Sequence, residues 1–180
     1  MRAAFAPLAP RNKGDDMGYE VFAVSVGNGH LALAPVPGAE GDLHADVDAI
    51  AKWGATLVVS ATETEEMQTL GAEALPGALR DAAIRWMHFP IRDFGVPEGD
   101  VQAQWAGVSE LVRQQLRAGG RVLVHCRGGC GRSGMLVLRL MIEAGMAAEE
   151  ALQRLRAVRP CAVETDAQMV WATDGVLTQA

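Results

Sequence analysis

Apolar residues along this chain form two kinds of block, separated by polar residues, glycine and proline. Short runs rich in branched apolar residues predict β-strands at 20–26, 30–34, 56–60, 84–91 and 121–125. Blocks with helical spacing predict α-helices at 43–53, 98–118, 132–143, 147–158 and 165–177, with short helices at 63–70 and 76–85. Strands and helices therefore alternate along most of the chain.

This alternation predicts an α/β fold with a central, mostly parallel sheet flanked by helices. The segment 56–60 is apolar without interruption, which is typical of a parallel strand buried on both faces. The helix at 132–143 is apolar on most sides and is expected in the middle of the core. We predict one domain at 19–180, preceded by a poorly ordered leader at 1–18, where proline, glycine and charge mix without periodicity.

The composition narrows the classes of function. A net charge of −6 disfavours a nucleic-acid partner. We also expect no membrane partner, because no apolar run approaches the roughly twenty residues that cross a bilayer. The start of the chain is too broken by proline to serve as a secretory signal, so we expect a cytoplasmic protein, and a monomer. Cys126, Cys130 and Cys161 follow no zinc or disulfide-framework spacing, so we expect a reducing compartment, no metal ion and no other cofactor.

Residues 122–134 carry the strongest chemical signal. An apolar strand runs into Cys126, and a loop with three glycines then leads to Arg132 and Ser133 at the start of a helix. Glycines allow the backbone N–H groups of such a loop to surround an anion, and the helix N-terminus adds its positive dipole end. The planar fork of an arginine suits two phosphate oxygens, and the positive field favours a thiolate. The segment therefore predicts a cysteine that attacks phosphorus.

This pattern of cysteine, five residues, arginine and serine resembles the signature of the cysteine-dependent tyrosine and dual-specificity phosphatases. His125 before the cysteine and Gly134 after the serine match the fuller signature. The motif content is similar to that of the small bacterial members and of the kinase-associated phosphatase, and the resemblance covers about residues 30–178, with its specific motifs at 88–97, 125–134 and 160–168. It implies a protein tyrosine phosphatase-like fold and a phosphorylated protein or small phosphomonoester as the partner.

The resemblance also implies a role for each residue of the loop. Cys126 becomes a phosphocysteine, Arg132 binds the phosphoryl group, and Ser133 assists the departure of the sulfur when water arrives. The phosphate-binding residues implied are Arg127, Gly128, Gly129, Cys130, Gly131 and Arg132. The side chain of Arg127 is expected to face outward, because the loop backbone lines the phosphate.

An acid elsewhere in the chain must protonate the leaving group. Asp93 is our candidate, since it follows a predicted buried strand and lies in a loop with Gly95 and Pro97, about thirty residues before the cysteine. In the resembling family a mobile loop at this place carries the acid. Asp93 as a simple turn residue and Asp100 as a weaker candidate acid remain as alternatives.

Three further residues are expected to support the site. By the same resemblance, Gln168 positions the hydrolytic water and Glu164 orients nearby groups, although both could be ordinary polar residues at a helix start. His125 is expected to be a buried imidazole that steadies the loop. Cys130 could form a disulfide with Cys126 that protects the nucleophile, or could simply fill a loop position. Arg154, Arg156 and Arg159 are expected to be exposed at a helix end, where they complement the dipole.

The substrate is less well defined by the sequence. The only tyrosine, Tyr19, lies in the weakly ordered start of the chain, and no aromatic recognition loop is evident. A shallow, dual-specificity site for phosphotyrosine and phosphoserine or phosphothreonine is therefore favoured. The alternatives are the same chemistry on an inositol lipid, sugar phosphate or nucleotide, a sulfurtransferase, and an inactive phosphopeptide-binding module.

Overall fold

The computed structural model describes residues 18–174. Its elements are, in chain order, β1 (Phe22–Val26), β2 (Gly29–Ala34), α1 (Leu43–Trp53), β3 (Leu57–Ser60), α2 (Thr64–Thr69), α3 (Leu75–Asp81), β4 (Arg85–His88), α4 (Gly99–Arg117), β5 (Arg121–His125), α5 (Gly131–Glu143), α6 (Ala148–Val158) and α7 (Asp166–Asp174). Apart from Gly18, the predicted leader lies outside the described residues, as does the predicted end of the last helix at 175–177.

The five strands form one sheet in the order β1-β2-β5-β3-β4. Only the β1–β2 hairpin is antiparallel, and the other three pairings are parallel. The sheet thus confirms the predicted α/β class with a mostly parallel sheet. In the register of the three central strands, Ala34, His125 and Ser60 lie side by side at the carboxyl ends. Ligands of open α/β sheets bind beyond this edge, so the residues that follow β5 stand where a site is expected.

Two buried clusters cover the faces of the sheet. On one face, α5 packs with α4, α6 and α7, and the predicted central helix is indeed buried along nearly its whole length. On the other face, α1 and α3 pack against the apolar side chains of β3 and β5. The tryptophans lie in or against these clusters, as their apolar surroundings predict. The carboxyl ends of the central strands are therefore supported by a buried cluster on each face of the sheet.

The length of β4 and the burial of Tyr19 differ from the prediction. The strand predicted at 84–91 shortens to β4, although the N–H groups of Phe89 and Ile91 still donate to the carbonyls of Ser60 and Ala61 beyond its end. Tyr19 is ordered and half-buried, and its hydroxyl donates to the carbonyl of Pro35 at 2.7 Å. Burial, then the negative charges of Asp46 and Cys126, raise the pKa of Tyr19 well above its ordinary value. The prediction that this tyrosine belongs to a weakly ordered segment is therefore wrong.

Among residues 18–174, no helix combines the length with the apolar character that a membrane-crossing segment requires.

Candidate active site

Cys126 follows the central strand directly, and α5 begins five residues later. The thiol is buried, and Sγ lies 3.2 Å from the hydroxyl oxygen of Ser133, in the first turn of α5. A sulfur anion at this place accepts a hydrogen bond from the serine hydroxyl, which stabilises the anion. The strand, the loop and the helix of residues 121–143 thus bring together two of the predicted residues.

The start of α5 leaves backbone donors for a bound anion. The first helical hydrogen bond there runs from the N–H of Gly134 to the carbonyl of Cys130 at 3.0 Å. The N–H groups of the first turn before Gly134 have no acceptor within the helix, and the helix dipole places positive charge at the same end. This geometry suits a phosphoryl group.

Position 129 requires a glycine, both because of its backbone angle and because no space is left for a side chain. Its φ of +66° lies in the left-handed region, and a Cβ there would lie 2.5 Å from the backbone nitrogen of Pro35. The phosphate loop (residues 126–132) is therefore pressed against the end of β2, and the N–H of Val36 donates to the carbonyl of Arg127 at 3.2 Å. The side chain of Arg127 is exposed, as predicted.

Arg132 is buried, with its side chain 1% exposed, and its fork is held by a carboxylate that the sequence analysis did not identify. Nη1 and Nη2 donate to the two carboxylate oxygens of Glu66 at 2.7 and 2.8 Å, and Nη1 also donates to the carbonyl of Ile91 at 2.9 Å. Burial alone would raise the pKa of Glu66, but the hydrogen bonds and charge of Arg132 hold it below its usual value. The pair therefore fixes the guanidinium in one orientation.

Asp93 lies over the phosphate loop. Its Oδ1 is 3.1 Å from Nη2 of Arg132 and also accepts the N–H of Phe94 at 3.1 Å. The side chain is 44% exposed, within a turn closed by a hydrogen bond from Gly95 N–H to the carbonyl of Arg92. Asp100 instead occupies the first turn of α4. The structure thus brings Asp93, the preferred candidate acid, to the arginine.

Phe94 follows the candidate acid in an unusual conformation. Its φ is +58°, a region that non-glycine residues rarely adopt, and its side chain is 61% exposed. Strained residues of this kind cluster at functional sites. An exposed aromatic ring therefore stands next to the carboxylate that contacts Arg132.

Gln168 links the acid loop to the start of α7. Its amide oxygen accepts the N–H groups of Glu164 and Thr165 at 3.0 and 3.3 Å, while Nε2 donates to the carbonyl of Gly95 at 3.2 Å. The carboxylate of Glu164 packs against Gly131, where a Cβ would collide with it. Both predicted supporting residues are therefore beside the loop.

His125 is fully buried and joined to a short hydrogen-bonded chain. The indole N–H of Trp86 donates to the hydroxyl of Ser60 at 2.8 Å, and Ser60 lies 2.6 Å from Nε2 of His125. Because an indole can only donate, Ser60 Oγ accepts from Trp86, and the tautomer of the imidazole determines whether Oγ or Nε2 donates in the second contact. Burial lowers the pKa of His125 to about 4, so the imidazole is neutral at neutral pH.

This buried imidazole gives a prediction for the pH dependence of stability. The unfolded chain binds the histidine proton near pH 6.5, whereas the folded protein binds it only near pH 4, so stability falls as the pH drops between these values. We expect wild type to lose about 2 to 3 kcal/mol more than His125→Gln when the pH falls from about 7.5 to about 4.5. Urea unfolding at both pH values measures this difference, and equal losses in the two proteins would contradict it.

Cys130 and Cys161 form a disulfide, with a Cα–Cα distance of 5.2 Å, and Cys126 is the free cysteine. This corrects two expectations, that the cysteines form no structural disulfide and that Cys126 is the partner available to Cys130. The two bonded residues are 31 apart, and the turn between α6 and α7 brings Cys161 to the loop. Spacing along the sequence gives no sign of this approach.

The arginines near the end of α6 differ only in part from expectation, because Arg159 is half-buried whereas Arg156 is exposed as predicted. Arg159 donates to the carbonyls of Gly128 and Gly129 at 2.9 and 3.1 Å, and its guanidinium lies 4.1 Å from the ring centroid of Phe22. Arg156 donates to the carbonyls of Ala162 and Val163. These side chains therefore brace the phosphate loop and the turn behind it, and Arg154 is exposed as predicted.

Comparison with a family model and with known proteins agrees with the resemblance to the phosphatases. Residues 41–173 match the family model described as the dual specificity phosphatase catalytic domain. The mouse protein tyrosine phosphatase domain-containing protein 1 is 32% identical over 104 residues, which are 57% of this chain and 13% of that protein. The human protein tyrosine phosphatase type IVA 3 is 31% identical over 121 residues, 66% of this chain and 64% of that protein. The chain thus spans a small part of the first of these relatives.

Solved structures show the same fold. A kinase-associated phosphatase with serine in place of its catalytic cysteine has a TM-score of 0.81 at 20% identity, covering 92% of this chain and 99% of that one. Tk-PTP in its active form has a TM-score of 0.64 at 28% identity, covering 83% and 92%. PTPMT1 in complex with PI(5)P has a TM-score of 0.68 at 16% identity, covering 88% and 99%.

Proposed function

Because this chain belongs to the dual-specificity phosphatase family, we propose that it hydrolyses phosphate monoesters of tyrosine, serine or threonine side chains through a phosphocysteine intermediate. The observation that carries the proposal is the meeting of Cys126, Ser133, Arg132 and Asp93 at the carboxyl end of the central strand. These four side chains supply a nucleophile, a hydroxyl to support it, a fixed cation and an acid.

In the first step the sulfur of Cys126 attacks phosphorus, and the bond from phosphorus to the ester oxygen breaks. Asp93 takes up a proton when the phosphoryl group replaces it on Nη2 of Arg132 and gives this proton to the ester oxygen, so the substrate leaves as an alcohol or phenol. The cation is already oriented, because Glu66 and Ile91 occupy three of the four Nη protons of Arg132. Its Nε–H and the remaining Nη2 proton, which now faces Asp93, are left for the phosphoryl oxygens.

In the second step a water molecule attacks phosphorus and the bond from sulfur to phosphorus breaks. The Asp93 carboxylate takes a proton from the water, and the Ser133 hydroxyl donates to the departing sulfur anion. Glu164 and Gln168 lie on the side of the loop formed by Gly131, where they can orient the water. Covalent catalysis of this kind divides one difficult displacement into two easier ones.

A second candidate function is the same chemistry on a phosphate that is not part of a protein. The exposed Arg127, next to the nucleophile, favours it, because a free guanidinium at the mouth can bind a further anionic group such as a second phosphate. PTPMT1 in complex with PI(5)P shares the fold, which by itself does not carry the substrate over. Phosphoproteins remain our first proposal for the substrate.

A substrate panel tests the proposal. We expect phosphotyrosyl and phosphoseryl peptides to be hydrolysed with higher kcat/KM than inositol phosphates, sugar phosphates or nucleotides at equal ionic strength. Release of inorganic phosphate measures all of these reactions in one assay. Preference for inositol phosphates would support the second candidate instead, and absence of phosphate release from every compound would leave a binding module or a sulfurtransferase.

A further inference from the structure

Residues 159–164, called the clasp here, connect α6 to α7 and hold the back of the phosphate loop. The clasp reaches the loop covalently through Cys161, which is bonded to Cys130. The guanidinium of Arg159 donates to two loop carbonyls, and the N–H of Val163 donates to the carbonyl of Cys130 at 3.2 Å. One short segment thus makes a disulfide and three hydrogen bonds to the loop that follows the nucleophile.

The clasp contains a strained residue. Val163 has a φ of +65°, which is a clear outlier for a β-branched side chain. Arg156 donates to the carbonyls of Ala162 and Val163, and Gly134 packs so closely that a Cβ there would lie 2.7 Å from the nitrogen of Val163. A conformation of this kind persists only where its surroundings hold it.

The strained turn sets the position of the groups that follow it. Glu164 comes next in the chain, and its carboxylate packs on Gly131 while its N–H donates to the amide oxygen of Gln168. Relaxation of Val163 would therefore move Glu164 and Gln168, the two side chains to which the proposed mechanism assigns the orientation of the hydrolytic water. Arg132 is held separately, by Glu66 and Ile91.

We propose that the Cys130–Cys161 disulfide is a positioning element for hydrolysis of the phosphocysteine, so that its reduction slows this second step and leaves the first nearly unchanged. The proposal rests on the phosphatase mechanism given above. Reduction needs a dithiol as co-reactant. The dithiol supplies two electrons and two protons, the S–S bond opens to two thiols, and the dithiol becomes a disulfide.

Reduction is expected to slow the second step more than the first because the two steps use different residues. The attack on substrate needs Cys126, Arg132 and Asp93, and the guanidinium of Arg132, which contacts Asp93, is held by Glu66 and Ile91, outside the clasp. The attack of water also needs a correctly placed water molecule, and misplacement of a positioning group by about 1 Å is enough to cost up to roughly 10²-fold in rate. Opening the clasp therefore affects kcat more than kcat/KM.

The test uses the double variant Cys130→Ser, Cys161→Ser in stopped-flow hydrolysis of an aryl phosphate. We expect kcat to fall roughly ten- to a hundredfold. We also expect kcat/KM to stay within about twofold, with a burst of phenol close to one per enzyme molecule. An equal fall in kcat and kcat/KM would show a general loosening of the site and overturn the proposal, and so would an unchanged kcat.

Wild type provides a test that does not depend on folding of the variant. Treatment with dithiothreitol should reproduce the fall in kcat, reoxidation should restore it, and the double variant should respond to neither. Alkylation in denaturant without reductant should label Cys126 alone, and labelling of all three cysteines would overturn the proposal. Absence of turnover in untreated wild type would refute the proposed function, whereas turnover insensitive to dithiol would refute only the role of the disulfide.

Discussion

Replacing Cys126 by serine is expected to reduce kcat for an aryl phosphate by about 10⁴-fold or more. The hydroxyl of serine stays protonated near neutral pH and is a far weaker nucleophile than a thiolate, and no base lies in the contacts of this buried position to remove its proton. Steady-state release of the phenol measures the effect. The substitution changes one atom within the loop, so thermal unfolding should be close to that of wild type.

The Cys126→Ser variant should still bind inorganic phosphate, because the first-turn amides of α5 and the Arg132 guanidinium remain in place. Calorimetric titration of both proteins with phosphate checks this. Retention of more than about one-hundredth of the wild-type kcat would mean that another group attacks phosphorus.

Asp93→Asn is expected to lower the rate of hydrolysis more for substrates with poor leaving groups than for substrates with good ones. Loss of a general acid costs about 10²- to 10⁴-fold when the departing oxygen needs a proton, as for a seryl or alkyl phosphate. The loss of kcat/KM should be much smaller for an aryl phosphate whose phenolate is stable, because that oxygen leaves without help. A series of substituted phenyl phosphates measures this dependence on the leaving group.

Asp100→Asn is the matched control, because Asp100 lies in the first turn of α4 and has the same chemistry. It should behave like wild type across the series. If Asp93→Asn loses the same factor on good and poor leaving groups, the assignment of Asp93 as the acid is wrong. If Asp100→Asn instead shows the steep dependence, Asp100 is the acid.

The parts of the site that could be predicted are local in sequence. Strand β5, the glycine loop and the start of α5 are contiguous, so the apolar run, the three glycines and the helix pattern define the place of Cys126 and Arg132 together. The alternation of strands and helices likewise predicted the α/β class. The order of strands in the sheet depends on how distant segments pair, and periodicity does not contain that information.

The parts that were missed join distant residues. Glu66 pairs with Arg132 across 66 positions, and its only local feature is a capping box at the start of α2. An acidic residue in the first turn of a helix is ordinary, so nothing marked it as the partner of the arginine. The Cys130–Cys161 disulfide and the contacts of Arg159 were missed for the same reason, since the return of the chain after α6 creates them.

Gln168 shows a third case, in which the residue was identified but its contacts were not. The resemblance to the phosphatases implied a place near the loop and a role with the hydrolytic water, and the structure shows its amide bridging the start of α7 and the acid loop. An amide has both a donor and an acceptor, and residue type alone does not say how each is used.

The central claim is that the sulfur of Cys126 carries the phosphoryl group between the two steps. Rapid acid quench of wild type with substrate, followed by mass spectrometry of the peptide that contains residues 126–132, tests it directly. The account predicts one added phosphoryl group on Cys126, formed within the first turnover and absent from Cys126→Ser. Turnover without any phosphoryl group on Cys126, or with the group on another residue, would contradict it.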